Sequence, residues 1–202
     1  MLFVVILVCH VTLPVLTTFA WVNAVFGLAF LALLGVAGWI TVEREGPRKV
    51  YLGLMVLSLA SSALSFALPE QFGFVIWLSY HTCFITLSAV LVVRWTVLRK
   101  QVTVDTIFAA LSGYYLMGFA WALLYMVVDN LAPGSFTVDI SSHFQSAFYF
   151  SFVTLTTLGY GDIAPAMPLA RSLVTTEALV GQLYLVVLVA RLVAMRTEPR
   201  AE

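Results

Sequence analysis

At 202 residues the chain is 62% hydrophobic and only 10% charged, where soluble domains carry about 25% charged residues, and its mean hydropathy is +1.02. A water-soluble domain is thereby excluded, and ten Lys and Arg balanced by ten Asp and Glu leave no basic surface for nucleic acid. A membrane helix consumes about 20 apolar residues, so the length predicts no separate soluble domain and places function within the bilayer.

Apolar runs separated by charges or turn residues predict spans over residues 2–18, 21–40, 50–68 and 72–98. The first run lacks a basic leading segment and a small-x-small cleavage site, so it reads as a retained span and not as a signal peptide; Pro14 kinks it or ends it early. Cys9 and Cys83 lie inside apolar runs, as small packing residues and not as a disulfide. His10 and His81 have no carboxylate nearby, which favours packing or interhelical hydrogen bonds over a metal site. A lipid or small-ligand site among Ser61, Ser62, His81 and Thr82 is the lesser alternative. Trp21, Trp39, Trp77 and Trp95 fall near span ends as interfacial anchors. The fourth span carries a single arginine, Arg94. Voltage sensing needs several cationic side chains, each worth about 2.3 kcal/mol per 100 mV, so residues 1–103 read as a scaffold without a charged voltage sensor.

Two more spans are predicted over 104–128 and 169–195, followed by a tail, 196–202, too short for a nucleotide- or calcium-sensing domain. Between them lies the apolar run 143–155. At about 1.5 Å per residue it cannot cross a roughly 30 Å hydrocarbon core, so it dips in and returns. Ser142 and Gln145 fit a capping box that starts this helix near His143, and its far end presents the negative pole of the helix dipole. Cytoplasmic loops are enriched in Lys and Arg. Arg44, Arg48, Lys49, Arg94, Arg99, Lys100, Arg191, Arg196 and Arg200 fall on one side, leaving Arg171 with Glu70, Asp129, Asp139 and Asp162 on the other. The pattern predicts a multi-pass protein of the cell (inner) membrane with both termini cytoplasmic.

After the short helix comes Thr154-Leu155-Thr156-Thr157-Leu158-Gly159-Tyr160-Gly161-Asp162. Two glycines around a tyrosine do not continue a helix, and non-helical backbone at membrane depth is either buried in protein or lines a water-filled path. Consecutive carbonyls facing such a path from several chains would form oxygen cages that replace a cation's hydration shell. The stretch resembles the filter of the potassium-channel pore family, Thr-Val-Gly-Tyr-Gly, with Leu158 in place of Val. Residues 104–195 carry the resemblance as outer helix, pore helix, filter and inner helix.

The resemblance implies an all-α membrane protein with six transmembrane helices, a re-entrant pore helix and an extended selectivity filter. In it the carbonyls of Thr157, Leu158, Gly159 and Tyr160, with the Thr157 hydroxyl, bind potassium ions. Gly159 and Gly161 permit the backbone geometry, Tyr160 braces the filter from behind and Asp162 holds the outer mouth. One filter segment per chain requires four copies, hence a homotetramer. The family often has an acid where Val153 stands, so a carboxylate bridge to Asp162 is absent here. The larger Leu158 side chain packs behind the filter, which keeps open a weakly selective cation channel; a non-conducting pore-like scaffold or regulatory subunit is the alternative from another class.

Gly181, nineteen residues after Asp162, matches the family's inner-helix hinge glycine, with close helix packing as the other reading. Gln182, Leu185, Val189 and Val193 recur at helical spacing and either face the conduction path or pack on the outer helix. Glu177, the one acid squarely within a span, either bonds Ser or Thr hydroxyls near the pore helix or draws ions directly. Potassium ions and the bilayer are the expected partners; no organic cofactor and no catalysis are expected.

Overall fold

The computed structural model describes residues 45–65, 68–98 and 103–196. The predicted spans 2–18 and 21–40, with Cys9, His10, Trp21 and Trp39, lie outside the described residues, as do Arg44, Arg99, Lys100 and Arg200. Five α-helices follow in order: α1 Glu45–Ser65, α2 Glu70–Leu98, α3 Val104–Leu131, α4 Phe144–Leu155 and α5 Pro168–Arg196. Phe72–Leu98, Thr106–Leu131 and Pro168–Arg191 are each long and apolar enough to cross a membrane, which makes the chain an all-α, multi-pass membrane protein. Six spans are not reached within the described residues, because the first two predicted spans lie outside them.

The helix ends follow local chemistry. The Pro69 carbonyl accepts the Phe72 and Gly73 amides, both at 2.9 Å, at the start of α2. Thr103 and Thr106 close a reciprocal capping box at α3, with Thr106 N donating to Thr103 Oγ1 at 3.3 Å and Thr103 N to Thr106 Oγ1 at 3.4 Å. Within α1 and α2, Tyr51 meets Ser88 at 3.0 Å, and His81 Nε2 lies 3.4 Å from Ser58 Oγ while Nδ1 lies 2.8 Å from the Trp77 carbonyl. His81 is therefore held by hydrogen bonds between and within helices. Ser61 and Thr82 donate to the Ser58 and Leu78 carbonyls, both at 2.7 Å. Two expectations change here. Cys83 is exposed and not packed, and Trp77 stacks on Phe74 and lies over His81 at 4.6 Å, inside the α2 packing and not only at an interface.

The core that positions the site lies between α3 and α4. Tyr115 and Phe119 of α3 interleave with Phe144, Phe148 and Phe152 of α4 at centroid distances of 4.9–5.9 Å, and Tyr125, Phe136 and Phe150 form a triangle at 5.3–5.4 Å. Aromatic pairs at these separations add stabilisation of about 0.5–1.5 kcal/mol each beyond burial. Phe136 also anchors the loop after α3. It bridges to Pro165, while Thr137 N donates to the Ala164 carbonyl at 2.9 Å and Ala166 N to the Ser135 carbonyl at 2.8 Å. The segment that follows α4 is thus fixed at both ends, by the helix before it and by this clamp after it.

Candidate functional site

The predicted capping box at α4 does not form. His143 is the N-cap and no side chain caps the helix. A start at Phe144 moves Ser142 one position outside the cap, where its Oγ lies 3.2 Å from His143 Nδ1. The His143 carbonyl takes the first amides, Ser146 at 3.0 Å and Ala147 at 3.1 Å.

The other end of α4 is more consequential. Thr157 N donates to the Thr154 carbonyl and Leu158 N to the Val153 carbonyl, both at 2.9 Å, with Thr157 at φ 60. This is a Schellman closure, in which the left-handed position is usually glycine. Threonine there costs about 1–2 kcal/mol of backbone strain. Gly159 N donates to the same Val153 carbonyl at 3.3 Å. In a trans peptide the N–H and the preceding C=O point in opposite directions, so two successive amides gathered on one acceptor turn two successive carbonyls, Thr157 and Leu158, the same way, outward from α4. An extended strand would alternate them. Positive φ recurs at Gly159 (57) and Gly161 (80) but not at Leu158 or Tyr160, and an alternation of handedness is what sets N–H groups on one face and carbonyls on the other. No atom lies within 4 Å of a Cβ built on Gly159 or Gly161, so the backbone angle alone demands glycine there.

Residues 156–162 are all exposed in the protomer. Leu158, expected to pack behind this segment, is 59% exposed. Thr157 Oγ1 donates to the Thr156 carbonyl at 2.7 Å. The Tyr160 ring stacks on Tyr149 of α4 at 6.4 Å and 10°, and the Tyr149 phenol lies near enough to the Asp162 carboxylate to feel its charge.

Behind the segment, α5 supplies Glu177, which is fully buried. Its Oε1 lies 2.5 Å from Ser151 Oγ of α4, and its Oε2 accepts from the Tyr125 hydroxyl of α3. Ser151 Oγ also lies 2.8 Å from the Gly118 carbonyl. Glu177 is thus bonded to hydroxyls of two helices. One turn on, a Cβ at Gly181 would meet Leu155 Cδ1 at 2.7 Å and the Leu155 carbonyl at 3.0 Å, so close approach to the end of α4 requires the glycine. Tyr114 donates to that same carbonyl at 3.1 Å, and Tyr184 to the Ala110 carbonyl at 2.6 Å. Gln182, Leu185, Val189 and Val193 lie on exposed surface of α5 and do not pack into the α3 side.

Residues 73–198 match a family described as an ion channel. The chain belongs to the ion channel family. This ion-channel chain is 43% identical over 96 residues to the inward rectifier potassium channel Kirbac3.1 of Paramagnetospirillum magnetotacticum, covering 45% of the chain and 30% of that protein. It is 35% identical over 111 residues to the voltage-gated potassium channel Kch of Escherichia coli (strain K12), covering 54% of the chain and 25% of that protein. With Protein LctB of Bacillus caldotenax it shares 32% identity over 110 residues, 49% of the chain and 81% of that protein. The chain thus spans less than a third of either potassium channel. No solved structure matches at a significant level.

Sequence reasoning expected a Ser or Thr hydroxyl on Glu177, which Ser151 of α4 supplies, and missed the Tyr125 phenol of α3. A signal existed: Tyr125 is a hydroxyl-bearing residue within the apolar run of the preceding span. A buried acid on a neighbouring span needs such donors.

Proposed function

We propose that the chain is one subunit of a homotetrameric, potassium-selective channel that conducts K⁺ passively, a transporter and not an enzyme. Potassium ions lose their water to the carbonyls of Thr157, Leu158, Gly159 and Tyr160 of four subunits, with Gly161 and Asp162 shaping the mouth. The observation that carries this reading is the shared acceptor at Val153: amides of Leu158 and Gly159 both turn to it, leaving two consecutive carbonyls facing one way. Four-fold assembly is supported by what one protomer leaves uncovered. The whole 156–162 segment is exposed, and only 17% of the α5 span is buried against 50% of the α3 span. Gln182, Leu185 and Val189 then line the path below the filter, where an apolar ring closes a pore by dewetting. The resemblance to the potassium-channel filter and the relatives named above agree with K⁺ as the ion.

The test is flux from liposomes under a potassium gradient. Barium-blocked potassium flux is expected, and Gly159→Ala or Gly161→Ala, forcing a side chain to positive φ, is expected to abolish selective flux while leaving membrane insertion intact. Equal sodium flux would identify a weakly selective cation channel, and no flux a scaffold or regulatory subunit. Potassium selectivity retained in either glycine variant would overturn the assignment.

A further inference from the structure

The end of α3 nearest the Asp162 loop carries a second concentration of oxygen ligands. Asp129, in the last turn of α3, is 2% exposed. Its Oδ2 accepts from Ile140 N at 2.9 Å, but its Oδ1 is buried without a partner. Buried polar atoms in folded proteins are almost always satisfied, and an orphan points to a missing water or ion. A second acid shares its surroundings: Asp139 lines the same cavity and interacts electrostatically with Asp129. Asp139 Oδ1 is committed to Ser141, whose N and Oγ donate to it at 2.9 and 2.7 Å, and these bonds hold the Asp139 carboxyl below the usual carboxylate range, in its charged form.

Both acids line a cavity of about 340 Å³ with Pro133, Gly134, Phe136 and Ser141. No Lys or Arg is among those residues; the neighbouring His143 favours the charged form of Asp139. The end of α3 adds the negative pole of its dipole. Two carboxylates side by side repel unless a proton or a cation lies between them. The space exceeds the roughly 180 Å³ that six waters occupy in the liquid, which suits a partly hydrated hard cation bound through one or two carboxylates.

We propose that Asp129 and Asp139 bind a hard divalent cation of the calcium type, one per chain, clamping the loop between α3 and α4. The formal charge of the pair matches a divalent ion, and the small number of protein ligands fits the weak class of oxygen sites, with dissociation constants of about 10⁻⁴–10⁻³ M. Occupancy neutralises the orphan oxygen and ties the end of α3 to Asp139, four positions before α4's cap, His143.

The test is calcium titration of the full chain in detergent micelles with potassium saturating, read by calorimetry. Because it reads binding and not flux, its outcome is independent of whether the protein conducts. One saturable calcium per chain is expected, weakened tenfold or more in Asp139→Asn. That residue is exposed, so the variant folds, and the buried Asp129→Asn serves as the second variant where it assembles. Magnesium is expected to compete for the site. Unchanged calcium binding in Asp139→Asn overturns the proposal, as does one calcium per four chains, which would place the ion on the assembly axis. Absence of saturable binding also overturns it and leaves a shared proton as the occupant.

Discussion

Replacing Glu177 tests how the pore helix is held. Its carboxyl joins Tyr125, Ser151 and, through Ser151, the Gly118 carbonyl. Ser151 has one hydroxyl hydrogen but two acceptors, Glu177 Oε1 at 2.5 Å and the Gly118 carbonyl at 2.8 Å. The chain of bonds closes fully when Glu177 carries a proton, gives it to Ser151 and lets Ser151 give its own to Gly118. Glutamine reproduces that pattern: its carbonyl accepts from Tyr125 and its amide donates to Ser151. Glu177→Gln is therefore expected to cost less than about 1 kcal/mol, the scale of one hydrogen bond. Glu177→Ala leaves the Tyr125 hydroxyl unsatisfied, about 1–3 kcal/mol, and opens a cavity worth about 2–5 kcal/mol for a side chain of this size. A loss of at least about 3 kcal/mol per protomer follows. Thermal loss of the assembled particle in detergent, with potassium flux measured alongside, reads both variants. Glutamine as damaging as alanine would show that an ionised carboxylate is required and that the proton count is wrong.

Gly181→Ala gains about 1 kcal/mol in helix propensity but pushes a methyl to 2.7 Å from Leu155 Cδ1 and 3.0 Å from its carbonyl, an overpacking cost of about 1–3 kcal/mol. Lower thermal stability and altered flux are expected; a variant as stable as the parent would show that α5 has room to spare. Thr157→Gly removes the left-handed threonine and is expected to raise the melting temperature while reducing potassium selectivity, since the hydroxyl goes with it; no change in melting counts against strain at that residue. With Arg94 the single arginine of α2, open probability is expected to change little between about −100 and +100 mV, because one charge supplies too little energy per unit of field. A steep conductance–voltage curve would contradict this.

Much of the architecture was legible because membrane helices announce themselves by length and polarity. The predicted 72–98, 104–128, 143–155 and 169–195 correspond to α2, α3, α4 and α5 within a few residues, and the glycine-tyrosine motif stands at the end of α4 as its spacing requires. What the sequence did not disclose was partner choice. Glu177 was visible as an isolated acid, but which hydroxyls reach it depends on the crossing of three helices. The capping box at Ser142 failed by a single residue, a shift that local propensity does not resolve. Likewise Asp129 reads as one more outer charge, yet burial makes it unlike Asp162.

The contacts of α5 also decide where that helix can move. Three of them cluster on one stretch, Glu177 on Ser151, Gly181 on Leu155 and Tyr184 on Ala110, and Tyr114 of α3 bonds the carbonyl that Gly181 approaches. A bend centred on Gly181 would carry Tyr184 off Ala110 and drag the end of α4, the very turn whose Val153 carbonyl orders the Leu158 and Gly159 amides. Below Tyr184 the helix presents mostly exposed residues, including Val186, Val187, Val189 and Val193, with nothing comparable described against them. Motion that opens a path is therefore expected below Tyr184, with the upper half fixed to the filter. Spin labels at Val193 and at Leu179, both exposed, distinguish the two cases: displacement at Val193 with little at Leu179 between conducting and non-conducting conditions supports a pivot below Tyr184. Equal displacement at both would mean that α5 moves as one rod and that these contacts do not hold it.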